Sequence, residues 1–198
     1  SLALTTPSNA HAQSYDVIIR NGRVIDGTGN PWFLADVALD GDRIAAIGDL
    51  GAATAGREID ATGLYVTPGF IDAHSHAGPG LATAGLSHAE PLLAQGLTTV
   101  VINPDGGGPV DLARQRSALL RDGLGVNTAQ LVPHGSIRRL ILGAEDRAPT
   151  AGEMEEMRSL VRRGMEEGAY GLSSGTFYVP GSYSDPEEII DLAQVVAS

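Results

Sequence analysis

Cysteine is absent from this sequence, which excludes disulfides, thiolate metal sites and a cysteine nucleophile. Any metal must therefore be held by imidazole, carboxylate or similar donors. Basic charge is also scarce. Against 24 Asp and Glu stand 13 Lys and Arg, a formal net charge of −11, and the densest basic groups are only the pairs Arg138-Arg139 and Arg162-Arg163. A nucleic-acid partner needs a basic field to displace counterions, so this balance argues against one. No apolar run approaches the ~20 residues that a membrane span requires. What remains is an ordinary globular composition, 42% hydrophobic and 19% charged, whose 26 glycines follow no fibrous period.

The opening residues raise a question of targeting. Ala10-His11-Ala12 has the small-x-small form of a secretory cleavage site. The expectation is that residues 1–13 are a leader or signal-peptide remnant and that the protein is periplasmic or secreted. The rival is a disordered leader or cloning remnant on a cytoplasmic protein.

Residues 14–66 read as β-structure. Tyr15–Arg20 and Arg23–Asp26 flank Asn21-Gly22, a strong hairpin signal, and Leu34–Leu39 and Arg43–Ile47 flank Asp40-Gly41-Asp42, a second one. Glu58–Val66 adds one or two short strands. After Pro68 the rhythm becomes strand, loop, helix. Gly69–His76 reads as an apolar strand, and a helix is expected from Ser87 with Glu90 as its capping-box partner. Strands at Thr98–Asn103, Val126–Pro133 and Gly171–Ser174 alternate with helices at Val110–Leu120, after Thr150 and after Ser184. Met154, Met157 and Met165 fall on the apolar stripe of the Thr150 helix and read as core. Four β-α units in this span imply a parallel sheet. Both an open doubly wound sheet and half of an eight-unit barrel satisfy that count.

The chemistry narrows the choice. Side chains two apart on a strand share a face, so Phe70, Asp72, His74 and His76 are expected together, with the histidines at the C-terminal end. Two imidazoles there can chelate one divalent ion, with Asp72 as supporting partner. Parallel barrels keep their active sites at that end.

The segment Asp16-Val17-Ile18-Ile19-Arg20-Asn21-Gly22, followed by Pro68-Gly69-Phe70-Ile71-Asp72-Ala73-His74-Ser75-His76, resembles the amidohydrolase superfamily. Within it the sequence is most similar to the N-acyl-D-amino-acid deacylases, or D-aminoacylases. Gln95–Val101, Leu131–Arg138 and Gly168–Gly181 extend the resemblance over residues 15–198. It implies the fold class α/β: the first part of a small β-sandwich over residues 14–66, then the first half of a metal-bearing (β/α)8 barrel over residues 67–198. It also implies metal-dependent deacylation of N-acyl-D-amino acids, with one or two divalent ions, zinc foremost, and a small-molecule substrate. Further histidine ligands and a general-base Asp are then expected beyond residue 198, where the rest of the barrel would lie. The family carries a metal-ligating Cys after its second strand, and this chain reads Asn103-Pro104-Asp105-Gly106 instead. Asp105 is either a replacement ligand or the turn residue of Pro-Asp-Gly. His134 and Tyr178 are candidates for substrate binding, each with simple packing as its rival. Ser173 and Ser174 sit in no Gly-x-Ser-x-Gly elbow and do not read as nucleophiles. Two alternatives stay open: a cyclic-amide hydrolase or dipeptidase of the same superfamily, and a non-catalytic metal-binding half-barrel.

Overall fold

A computed structural model describes residues 13–198. The Ala10-His11-Ala12 pattern lies outside the described residues. The chain divides between Pro68 and Gly69 into two compact units.

The first unit is a mixed five-stranded sheet. It contains β1 (Ser14–Val24), β2 (Phe33–Asp40), β3 (Arg43–Gly48), β4 (Thr54–Asp60) and β5 (Tyr65–Val66), in the order β3-β2-β1-β4, with β5 also pairing β1. The Asp40–Arg43 connection is the expected hairpin. The Asn21-Gly22 hairpin is not formed. β1 runs straight through it, and the register against β2 slips between Ile19 and Gly22. Asn21 takes φ +58°, so the pair makes a β-bulge. Gly22 suits the place, since a Cβ there would lie 2.5 Å from Val66. The strands bury Ile18, Val24, Val37 and Ala38.

The second unit supplies the parallel strands. β6 (Phe70–Asp72), β7 (Leu97–Ile102) and β8 (Asn127–Gln130) pair in that order, and β9 (Val132–Pro133) pairs with β10 (Leu172–Ser173). β8 and β9 are the two pieces of the expected Val126–Pro133 strand. Around them stand α1 (Gly78–Leu81), α2 (Glu90–Leu93), α3 (Leu112–Leu120), α4 (His134–Leu142), α5 (Ala151–Glu166) and α6 (Pro186–Val196). One core joins Leu112, Val132, Ile137, Met154, Met157, Val161 and Leu192, with Met165 packed against it, which places all three methionines as packing residues. A second joins Leu81, Val100, Ile102, Leu119 and Val126.

Caps explain several boundaries. Asp111 accepts from Arg114 N and opens α3, while Thr150 and Glu153 form a reciprocal capping box on α5. The expected Ser87 cap does not form. Ala89, at φ +54°, precedes a helix of only four residues, and Ser87 Oγ is buried without a hydrogen-bond partner. α4 is an addition to the sequence reading. Ile137 and Arg138 are buried three and four residues after buried His134, the spacing of a helical face.

Candidate metal centre

β6 ends at Asp72, earlier than the sequence pattern suggests, and a side chain is responsible. Asp72 Oδ1 accepts the backbone N–H of His74 at 3.1 Å, an Asx-type bond that turns the chain out of the sheet. Asp72 therefore supports the turn that carries the histidines; the expected support of an imidazole is not seen. Ser75 N donates to Val101 O at 2.9 Å, which keeps the segment beside β7. Ser75 is buried, and the imidazoles on either side of it project outward.

Asp105 reaches them from the turn after β7. Its Oδ2 lies 3.2 Å from Nε2 of His74 and 3.2 Å from Nε2 of His76. One ligand atom from each residue falls within 4.8 Å of the others. Two imidazole nitrogens and a carboxylate oxygen form a donor set that suits a divalent ion of zinc type, and three protein donors leave coordination room for water or substrate. The sequence left Asp105 between ligand and turn residue; the structure places it in a turn and beside both histidines.

The turn itself is strained. Asn103 and Asp105 have φ +63° and +56°, values uncommon for residues with a Cβ. Such backbone persists only where its surroundings impose it, and outliers of this kind gather at functional sites. Three glycines provide the confinement. A Cβ on Gly106 would lie 2.9 Å from Gly135 N, and one on Gly175 would lie 2.1 Å from Asp105 O. One on Gly181 would lie 2.7 Å from Gly175 O. The loops after β7 and β10 and the first turn of α4 thus meet backbone on backbone. Beneath them, Asn103 exchanges two hydrogen bonds with Gln115, and Gln115 also accepts from Gln130.

A cavity of about 910 Å³ opens at these loops, bordered by Ser75, His76, Asp105, Ser136, Arg139 and Tyr178 among others. Tyr178 is half exposed on it. His134 is not. It is fully buried, with Nε2 at 2.7 Å from Glu188 Oε1 and Nδ1 at 3.2 Å from Ser174 Oγ, so both ring nitrogens are engaged. Arg138, also fully buried, pairs with the other Glu188 oxygen and donates to the carbonyls of Arg147 and Tyr183. Burial pushes the Glu188 carboxyl upward, but its bonds to His134 and Arg138 outweigh that and hold it below the usual carboxylate range. The Ser174–His134–Glu188 line has the order of a nucleophilic triad, yet Ser174 does not border the cavity. The sequence reading passed over Glu188. Its signal was a place four residues before Leu192, on the buried face of α6.

The model of the amidohydrolase family matches residues 57–195. The chain belongs to that family. Among amidohydrolases, it is 35% identical to the D-aminoacylase of Alcaligenes xylosoxydans xylosoxydans, over 96% of this chain and 44% of the relative. A solved D-aminoacylase structure, described for its binuclear metal centre, superposes with TM-score 0.83 at 36% identity, over 92% of this chain and 43% of that one. The N-acyl-D-glutamate deacylase of Bordetella bronchiseptica, complexed with zinc and a phosphonate mimic of the tetrahedral intermediate, superposes with TM-score 0.79 at 34% identity. That match covers 93% of this chain and 43% of the deacylase. The chain spans less than half the length of these relatives, and the part it shares is a partial amidohydrolase fold.

Proposed function

We propose that this chain is the N-terminal part of a metal-dependent hydrolase that deacylates N-acyl-D-amino acids. The observation that carries the reading is the convergence of His74, His76 and Asp105 on one point beside an open cavity. The likeness to a D-aminoacylase and an N-acyl-D-glutamate deacylase supplies the substrate class.

In this reading residues 14–66 belong to a small β-sandwich and residues 67–198 form the first half of a (β/α)8 barrel. Parallel strands that pair in chain order, β6-β7-β8 and then β9-β10, support a barrel over a sheet that doubles back. Relatives more than twice as long as the matched segment support a following segment that closes the barrel. That segment supplies further histidine ligands and the Asp that serves as general base. Export rests on the Ala10-His11-Ala12 pattern alone.

His74, His76 and Asp105 would be this chain's contribution to holding one or two divalent ions. A bound zinc supplies Lewis-acid polarisation of the acyl carbonyl and a more acidic water. Tyr178 offers its hydroxyl to the substrate carboxylate from the cavity rim. His134, with both nitrogens engaged below the surface, keeps the loops in place and does not touch substrate.

The test is an activity panel on the full-length protein: N-acyl-D-amino acids and their L-enantiomers beside dihydroorotate, hydantoins and dipeptides. Turnover of the D-substrates, abolished by a chelator and restored by zinc, is expected. Preferential turnover of a cyclic amide or a dipeptide would replace the deacylase reading.

A further inference from the structure

Ser173 stands at the end of β10, 68 positions after Asp105, and the metal reading gives it no part. It is 8% exposed, and its hydroxyl has two partners. Ser173 Oγ donates to Asn103 O at 2.6 Å and accepts from Gly106 N at 3.1 Å. Those two backbone groups are the two ends of the turn that carries Asp105. Asn103 and Gly106 are both buried, so water is poorly placed to replace the hydroxyl.

The same turn carries a run of left-handed backbone, with positive φ at Asn103, Asp105 and Gly106. A turn of that kind needs an external constraint, because the extended alternatives open to Asn and Asp are lower in energy. Gly106 O accepts from Ser136 N at 2.9 Å, which fixes one side of the turn. Among the described side chains, Ser173 bonds to both ends. The register of β10 on β9, which pairs Ser173 with Pro133, sets the position of the hydroxyl. A link therefore runs from β10 to the carboxylate that meets His74 and His76.

We propose that Ser173 is a positioning residue for the metal centre: its hydroxyl clips the Asn103–Gly106 turn and thereby holds the Asp105 carboxylate on the two histidines. The proposal rests on the reading of Asp105 as a ligand. Without the clip, Asn103 O and Gly106 N–H each lose a buried partner, the turn relaxes toward negative φ, and Oδ2 leaves the point it shares with the Nε2 atoms. Groups that orient a ligand without touching the ion typically govern affinity in this way.

The test is zinc affinity, measured by chelator competition on the full-length protein as parent, Ser173→Ala, Asp105→Ala and the double variant, with circular dichroism establishing that each is folded. Ser173→Ala is expected to weaken zinc binding by ~10–100-fold, the range found when a ligand's supporting partner is removed. In the Asp105→Ala background the same change is expected to add no more than about twofold, since the two residues act through one interaction. Ser173→Thr keeps the hydroxyl and is expected to restore affinity. If Ser173→Ala does not fold, Ser173→Cys replaces it, because a thiol is a weak donor and acceptor and should weaken binding in the same direction. Weakened binding in Asp105→Ala with parental affinity in the folded Ser173 variants overturns the clip and leaves Asp105 a ligand. Parental affinity in Asp105→Ala overturns the ligand reading itself.

Discussion

The carbonyl oxygen of Asp105 stands 2.1 Å from the place where a Cβ on Gly175 would lie. Two backbones approach there so closely that no side chain fits between them. Gly175→Ala must push the Asp105 turn away from its present position. Overpacking of this sort costs roughly 1–3 kcal/mol. A lower thermal midpoint is expected together with weaker zinc binding, read by calorimetry and metal titration on one preparation. Parental values in both would show that the turn yields freely and is not confined as described.

The buried trio of His134, Arg138 and Glu188 makes a different demand. Two α4 side chains, neither of them exposed, depend on one carboxylate from α6. Glu188→Ala leaves a guanidinium in the interior without its charge partner, a change that destabilises by about 3–5 kcal/mol. Urea denaturation is expected to show this as an earlier midpoint. A midpoint equal to the parent's would mean that Arg138 reaches solvent with ease.

Acid stability provides a further check. Arg147, and after it the backbone N–H of Thr150, hold the Glu153 carboxyl at about 2, against 4.5 for the free group. Because the folded value is the lower one, ionised Glu153 favours folding above pH 4.5, and this contribution is lost as the pH falls toward 2. Solvent screens the pair, so the effect is modest. Glu153→Gln should lower the thermal midpoint at neutral pH, with the gap to the parent closing near pH 2. A gap that does not change with pH would contradict the ion pair.

Much of this was legible in the sequence, and the parts that were not have physical reasons. The Thr150–Glu153 cap, the stripe with Met154 and Met157, and the β-branched run at Thr98–Ile102 depend on near neighbours, and they appear as expected. Asn21-Gly22 has the local chemistry of a hairpin, but pairing with both β2 and β4 keeps β1 continuous, and the local preference is spent on a bulge. His74 and His76 share a side because of the Asx turn at Asp72; strand alternation is not the cause. At the site, His74 and His76 could be nominated from residue type and spacing, and Asp105 from the place it takes in the family resemblance. Ser173 could not, since its partners lie 67 and 70 positions away, and Glu188 showed only its place on the buried face of a helix, with partners 50 and 54 positions away. Only the folded chain brings those residues together.

The most direct measurement is the zinc content of the full-length protein beside its His74→Ala/His76→Ala variant, by elemental analysis, with turnover of an N-acyl-D-amino acid followed on the same samples. The parent should hold zinc and deacylate the substrate. The folded variant should lose the ion that the two imidazoles share and, with it, activity. Retention of both metal and deacylation in the variant would contradict the placement of the metal centre at His74, His76 and Asp105.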